Sequence, residues 1–202
     1  YVLAPCQRLY ISTYSQLIGW FDWEYNYSFS WDWGKQNAEP TGRFLLPLQL
    51  LGATKLLYKP SGGSDASFRF QAPVGTTVLA ARSGTIVDFT AGTMGSDVQL
   101  DDPGDDIAHL YIENADGTID RYYYITTGAN RVSLGQKVEA GTPIGAVAPS
   151  QGPLASYLHF EVTSPSVNDH SVSSTITDVD FLVAKKGEVS LTEGQSYKRA
   201  IR

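Results

Sequence analysis

Cysteine is almost missing from these 202 residues: Cys6 stands alone, so no intrachain disulfide can form and thiolate-rich zinc clusters are excluded. Histidine is nearly as scarce, with His109, His159 and His170 the complete set. No apolar run reaches membrane-spanning length. Basic residues are in the minority, 15 Lys and Arg against 21 Asp and Glu, and no basic patch breaks the net charge of −6. Nucleic acid is therefore not an expected partner. No stretch carries a helical period, and no glycine-rich phosphate fingerprint leads into a helix. Ser156 lies near Tyr157 and His159, but no base and orienting acid can be paired around it as a serine triad. The acidic run Asp101, Asp102, Asp105 and Asp106 lacks calcium-loop spacing and reads as a solvated loop.

What remains is a chain able to build a core. Hydrophobic residues at 42% and charged residues at 18% mark it as globular rather than disordered. It begins at Tyr1 with no basic-plus-apolar leader, as a mature secreted or periplasmic form would, and as any trimmed chain would. All four tryptophans fall in residues 20–33, where Phe21, Trp23, Tyr25, Tyr27, Phe29, Trp31 and Trp33 alternate strictly with polar residues. Period two predicts a strand with one aromatic face. That face either closes a sheet or core, or offers Trp23, Trp31 and Trp33 as a platform for sugar rings or a peptide.

Residues 34–60 are broken by Pro40, Gly42, Pro47 and Gly52 into loops and brief strands. Residues 66–148 read as short strands separated by glycine turns, with Asp116-Gly117 a strong hairpin signal before Tyr122-Tyr123-Tyr124-Ile125. From about 164 a Ser/Thr/Asp-rich connector leads to a strand at Val179–Val183 and a turn at Lys185–Glu188. The class is all-β, a sandwich or partly open barrel.

One strand carries chemistry. In Tyr157-Leu158-His159-Phe160-Glu161-Val162, alternation places Tyr157, His159 and Glu161 on one face and the apolar residues on the other. A metal-capable imidazole thus has a tyrosine where a hydrolytic site would suit a second imidazole.

Three blocks in order resemble the lysostaphin/LytM-type zinc endopeptidases. They are Ala72-Pro73-Val74-Gly75-Thr76 through Val87, then Asn114-Ala115-Asp116-Gly117-Thr118 through Ile125, and Leu134-Gly135-Gln136-Lys137-Val138 through Gly145 with Leu158-His159-Phe160-Glu161-Val162. The resemblance spans roughly residues 60–163 and implies an antiparallel duplicated-hybrid-motif fold. It also implies a metal held by a histidine, an aspartate and the second histidine of a His-x-His. Only His159 matches. Alignment without a gap puts Arg69 at the aspartate position, and a gap allows Asp65 instead, with Ser61 at the first histidine. The two further histidines of the family correspond to Tyr124 and Tyr157.

The resemblance implies residues 61–163 as a LytM-like domain, flanked by an aromatic-rich segment 1–60 and an extension 164–202 packing on it. It implies a catalytically inactive protein of the cell envelope, periplasmic or secreted, that binds peptidoglycan or regulates a cell-wall hydrolase. The expected groove is Arg69, Tyr124, Tyr157, His159 and Glu161, with no cofactor. One alternative is an active zinc endopeptidase with a rearranged site, using His159 with Asp65. Another is a purely structural or interaction module.

Overall fold

The computed structural model describes residues 32–59, 67–90, 107–127, 132–149, 156–168 and 171–200. Trp23, Trp31, Asp65, His170 and the acidic run at 101–106 lie outside them. Among the described residues there is no helix, so none is long and apolar enough to cross a membrane. The strands are β1 (Phe44–Leu45), β2 (Thr54–Tyr58), β3 (Phe68–Gln71), β4 (Thr77–Leu79), β5 (Gly84–Thr90), β6 (His109–Asn114), β7 (Ile119–Tyr123) and β8 (Ile125–Thr126). They continue as β9 (Lys137–Val138), β10 (Pro143–Val147), β11 (Tyr157–Asn168), β12 (Ser171–Ile176), β13 (Phe181–Val183), β14 (Gly187–Val189) and β15 (Ser196–Tyr197).

The largest sheet runs β15-β2-β3-β11-β7-β6-β5-β9, with β12 beside the distal half of β11. Two three-stranded sheets, β4-β10-β8 and β1-β13-β14, complete the fold. Every pair is antiparallel except β1 with β13, and no sheet closes into a barrel. Alternation explains how the sheets meet. Phe68 and Phe70 of β3, Leu158, Phe160 and Val162 of β11, and Tyr122 of β7 turn one face of the large sheet into the core. Val78, Ile125, Ile144 and Val147 of one small sheet, and Phe44, Phe181 and Val183 of the other, pack into the same cluster. Phe181 is its hub, edge-on to Phe68 at 5.0 Å and to Phe70 at 5.7 Å. Truncating such a ring to alanine costs about 3–5 kcal/mol. Both hydroxyls in this cluster's aromatic set are satisfied, since Tyr122 Oη accepts the Ala81 N–H at 2.8 Å and Tyr197 Oη the Thr192 N–H at 2.7 Å.

The Asp116-Gly117 hairpin forms, with a three-residue loop: Asn114 N–H donates to Thr118 O and Gly117 N–H to Asn114 O, both at 2.9 Å. Gly117 takes φ +87°, and a Cβ there would meet Lys35 Cβ at 2.4 Å. Behind it Arg82 is buried between two carboxylates, bonding Asp116 Oδ2 and Asp120 Oδ1 at 2.7 Å each. The connector expected from about 164 is corrected: β11 continues to Asn168 and pairs with β12 along six residues. That Ser/Thr-rich hairpin lacks the apolar alternation by which strands are read.

Candidate functional site

The face of the large sheet turned away from the core carries the site. Cross-strand register aligns one row across six strands: Tyr58 with Arg69, Arg69 with His159, His159 with Tyr123, Tyr123 with His109, and His109 with Thr90. A parallel row aligns Glu161, Arg121, Tyr111 and Asp88. Bulges between Leu56 and Tyr58 and between Ile86 and Asp88 bring the outer members into line.

Within the strand itself, His159 Nε2 and Glu161 Oε1 are 2.6 Å apart, a charge-assisted distance. Tyr123 stands beside the imidazole in a T-shaped contact at 5.4 Å. Tyr111 donates its hydroxyl to Tyr123 at 3.2 Å, and the Arg121 guanidinium lies 4.9 Å from the Tyr111 ring centre. Burial, then the Glu161 charge and Tyr111, push the Tyr123 phenol above its usual range. Burial works against the Arg121 cation, but Tyr123, Asp32 and Tyr111 outweigh it and raise its pKa. The Arg69 guanidinium lies 4.4 Å from the Tyr58 ring centre.

Tyr124 reaches the face by an unusual backbone. Its φ is +61°, a left-handed conformation that costs a bulky residue about 1–3 kcal/mol. The turn is held by Tyr124 N–H to Ala108 O and Ala148 N–H to Tyr124 O, both 2.9 Å. It aims the ring at Tyr157, 5.0 Å away and edge-on, with a hydrogen bond between the two side chains. Burial and then Tyr157 raise the Tyr124 pKa.

All five expected groove residues therefore share this face, and all are buried: Arg69 is 8% exposed, Tyr124 9%, Tyr157 6%, His159 1% and Glu161 6%. Tyr124, Tyr157, Tyr123 and Tyr111 form a second apolar cluster against which Trp33 and Leu57 pack. The segment carrying Trp33 is anchored on the same face, because Asp32 pairs with Arg121 and accepts the Ser174 hydroxyl. Lys35 N–H then donates to Gly117 O at 2.7 Å.

His109 joins the row although nothing in its spacing predicts that. It is buried, stacks on Tyr111 at 4.5 Å, and is separated from His159 by Tyr123. His109 Nδ1 lies 2.8 Å from Ile107 O, and its Nε2 is 3.6 Å from Asp88 Oδ2, beyond hydrogen-bond length. The parity of His109 with Tyr111 is legible; the register that sets it beside Tyr123 is not.

The described donors do not suit a zinc ion. Among the described residues no three His, Cys, Asp or Glu side chains converge. His159 faces a guanidinium across the strand pair, and its Nε2 is engaged by Glu161. A catalytic zinc takes three protein ligands and an open position, and a neighbouring cation opposes it.

The sequence profile of peptidase family M23 matches residues 64–173, the segment holding Arg69, Tyr124, Tyr157 and His159. No curated protein sequence matches at a significant level. Lysostaphin in solution is similar at 22% identity over 60% of this chain and 47% of its own, with a TM-score of 0.44. The catalytic domain of the antimicrobial peptidase lysostaphin from Staphylococcus simulans is similar at 23% identity over 56% of this chain and 80% of its own, TM-score 0.39. A protein described as an M23 peptidase from Pseudomonas aeruginosa is similar at 19% identity over 63% and 48%, TM-score 0.42. The chain thus spans less than half of full-length lysostaphin.

Proposed function

Since the chain belongs to peptidase family M23, we propose that it is a non-hydrolytic member working in the bacterial cell envelope, where it binds peptidoglycan or regulates a cell-wall hydrolase. The observation that carries this reading is the direct opposition of Arg69 and His159 across β3 and β11. On the ungapped alignment Arg69 stands where the family resemblance expects a metal-binding carboxylate, and a cation there works against a zinc-activated water. Tyr124 and Tyr157 stand in place of the two remaining histidines, and burial raises the pKa of the Tyr124 phenol, which suits it poorly to proton transfer near neutral pH.

The side chains suit recognition instead. Tyrosine rings pack on the apolar faces of sugars, and arginine pairs with carboxylates such as those on wall peptides. The protein is periplasmic or secreted, and the ligand-contacting residues are Arg69, Tyr124, Tyr157, His159 and Glu161. Their burial means that a ligand reaches them by displacing what packs over the face, with Trp33 and Leu57 the described residues that do so.

The test combines metal analysis, hydrolysis and binding. Protein prepared with excess zinc is expected to retain far less than one equivalent, to leave purified peptidoglycan uncleaved, and to co-sediment with it or with a wall hydrolase. Arg69→Ala and Tyr157→Ala should weaken that co-sedimentation. Stoichiometric zinc with chelator-sensitive cleavage lost in His159→Ala would overturn the reading.

A further inference from the structure

One row away from His159, the same face opens to solvent. Ser196 pairs with Lys55, Lys55 and Gln71 flank the Leu56–Phe70 pair, and Gln71 pairs with Tyr157. This row floors a depression of about 630 Å³, whose other walls include Leu50, Pro73 and Ser156. The volume lies within the range of about 300–1,000 Å³ typical of ligand pockets. Its walls come from two parts of the chain. Gln71, Pro73 and Ser156 belong to the segment matching the family, whereas Leu50, Lys55 and Ser196 lie outside residues 64–173. Strands β2 and β15, which lie outside residues 64–173 and extend the large sheet beyond β3, supply the remaining wall.

We propose that this depression binds the carboxylate of a short peptide. Lys55 is exposed, and it forms no ion pair with another described residue. Its ammonium brings three donors to a site otherwise lined by neutral groups. Ser156 and Ser196 add hydroxyl donors, and the exposed Gln71 amide can pair with a peptide group. Leu50 and Pro73 offer apolar walls, while Gly52 and Ala53 leave room that large side chains would fill. A single cation on a protein of net charge −6 suits one carboxylate and not a polyanion. The recognised group is either the chain terminus of the peptide or an internal acidic side chain, since both present the same oxygens.

This site deepens the binding function proposed above but stands apart from it. Zinc-dependent cleavage would overturn that function and leave this depression untouched.

The test is a titration of the full chain, followed by backbone amide NMR, with three probes: trialanine, trialanine C-terminal amide, and N-acetyl-Ala-Glu-Ala-amide. Trialanine is expected to saturate with the largest shifts at Gln71, Ser156 and Ser196, and to bind about tenfold more tightly than its amide, as loss of one charge-assisted hydrogen bond implies. Added salt should narrow that gap, because Lys55 is exposed. Lys55→Met should bring trialanine down to the level of the amide, with Lys55→Arg restoring part of the difference and neither variant altering the unfolding midpoint. If the capped glutamate peptide binds as trialanine does, the site reads an acidic side chain; if it binds as weakly as the amide, the site reads a chain terminus. Equal binding of acid and amide, the absence of saturation, or shifts centred elsewhere would overturn the proposal.

Discussion

Arg69 and His159 are opposed across the β3–β11 pair, both buried, with Glu161 closing on the imidazole from the same strand. The cation, rather than the missing imidazoles, is the first obstacle to a metal there. Arg69→Asp should therefore raise affinity for cobalt(II), read by its visible absorption, by about tenfold or more, because it replaces a repulsive charge with a ligand beside His159 and Glu161. The double change Tyr124→His with Tyr157→His should gain much less while Arg69 remains.

Glu161 has a structural task that is separable from binding. In Glu161→Ala the buried His159 Nε2 loses its partner, at a cost of about 1–3 kcal/mol. Urea unfolding should show a lower midpoint at unchanged slope.

Asp32 holds its segment to Arg121 and Ser174, and Lys35 follows three residues later on an exposed stretch. Asp32→Ala should speed tryptic cleavage after Lys35 several-fold without lowering the global unfolding free energy by more than about 1 kcal/mol, as expected of local opening. An unchanged cleavage rate would show that Trp33 packing and the Lys35 N–H to Gly117 O bond hold the segment without Asp32.

Asp116 sets an acid limb to stability. Burial opposes its ionisation, but hydrogen bonds from Thr118 and Thr41 and the Arg82 charge prevail, lowering its pKa from 3.8 to about 2. Folded Asp116 thus stays ionised where the unfolded chain has begun to take up a proton. Its contribution is complete above about pH 4 and is lost as pH falls through about 2. The stability gap between the native chain and Asp116→Asn should shrink over that window in urea titrations, and remain flat from pH 5 to 7.

Much of this arrangement is legible in residue alternation. Phe68 and Phe70 against Arg69 and Gln71, and Leu158 and Phe160 against His159 and Glu161, declare which face is core and which is polar. What period two cannot give is register between strands distant in sequence. His109 reaches Tyr123 through the β6–β7 pairing, and its alignment with Thr90 depends on the bulge at Ile86–Asp88, which has no residue signature of its own. The depression at Lys55 is equally hidden, since Lys55, Gln71, Ser156 and Ser196 come from four separate stretches of chain. Strand β12 is hidden in the sequence because its serines and threonines set up no apolar alternation.

The run Tyr122-Tyr123-Tyr124 places three identical side chains in three environments: the core, the site row and a left-handed turn. Such a run says little about its own alignment, because a one-residue slip would offer two of the three environments another tyrosine, with only Arg121 or Ile125 entering the third. The alignment must be imposed from outside, by Gly117 at the hairpin tip and by Arg82 gripping Asp120. Gly117 is therefore a distant selector of which phenol meets His159. A substitution at the tip could leave the fold's outline intact while re-indexing the entire face.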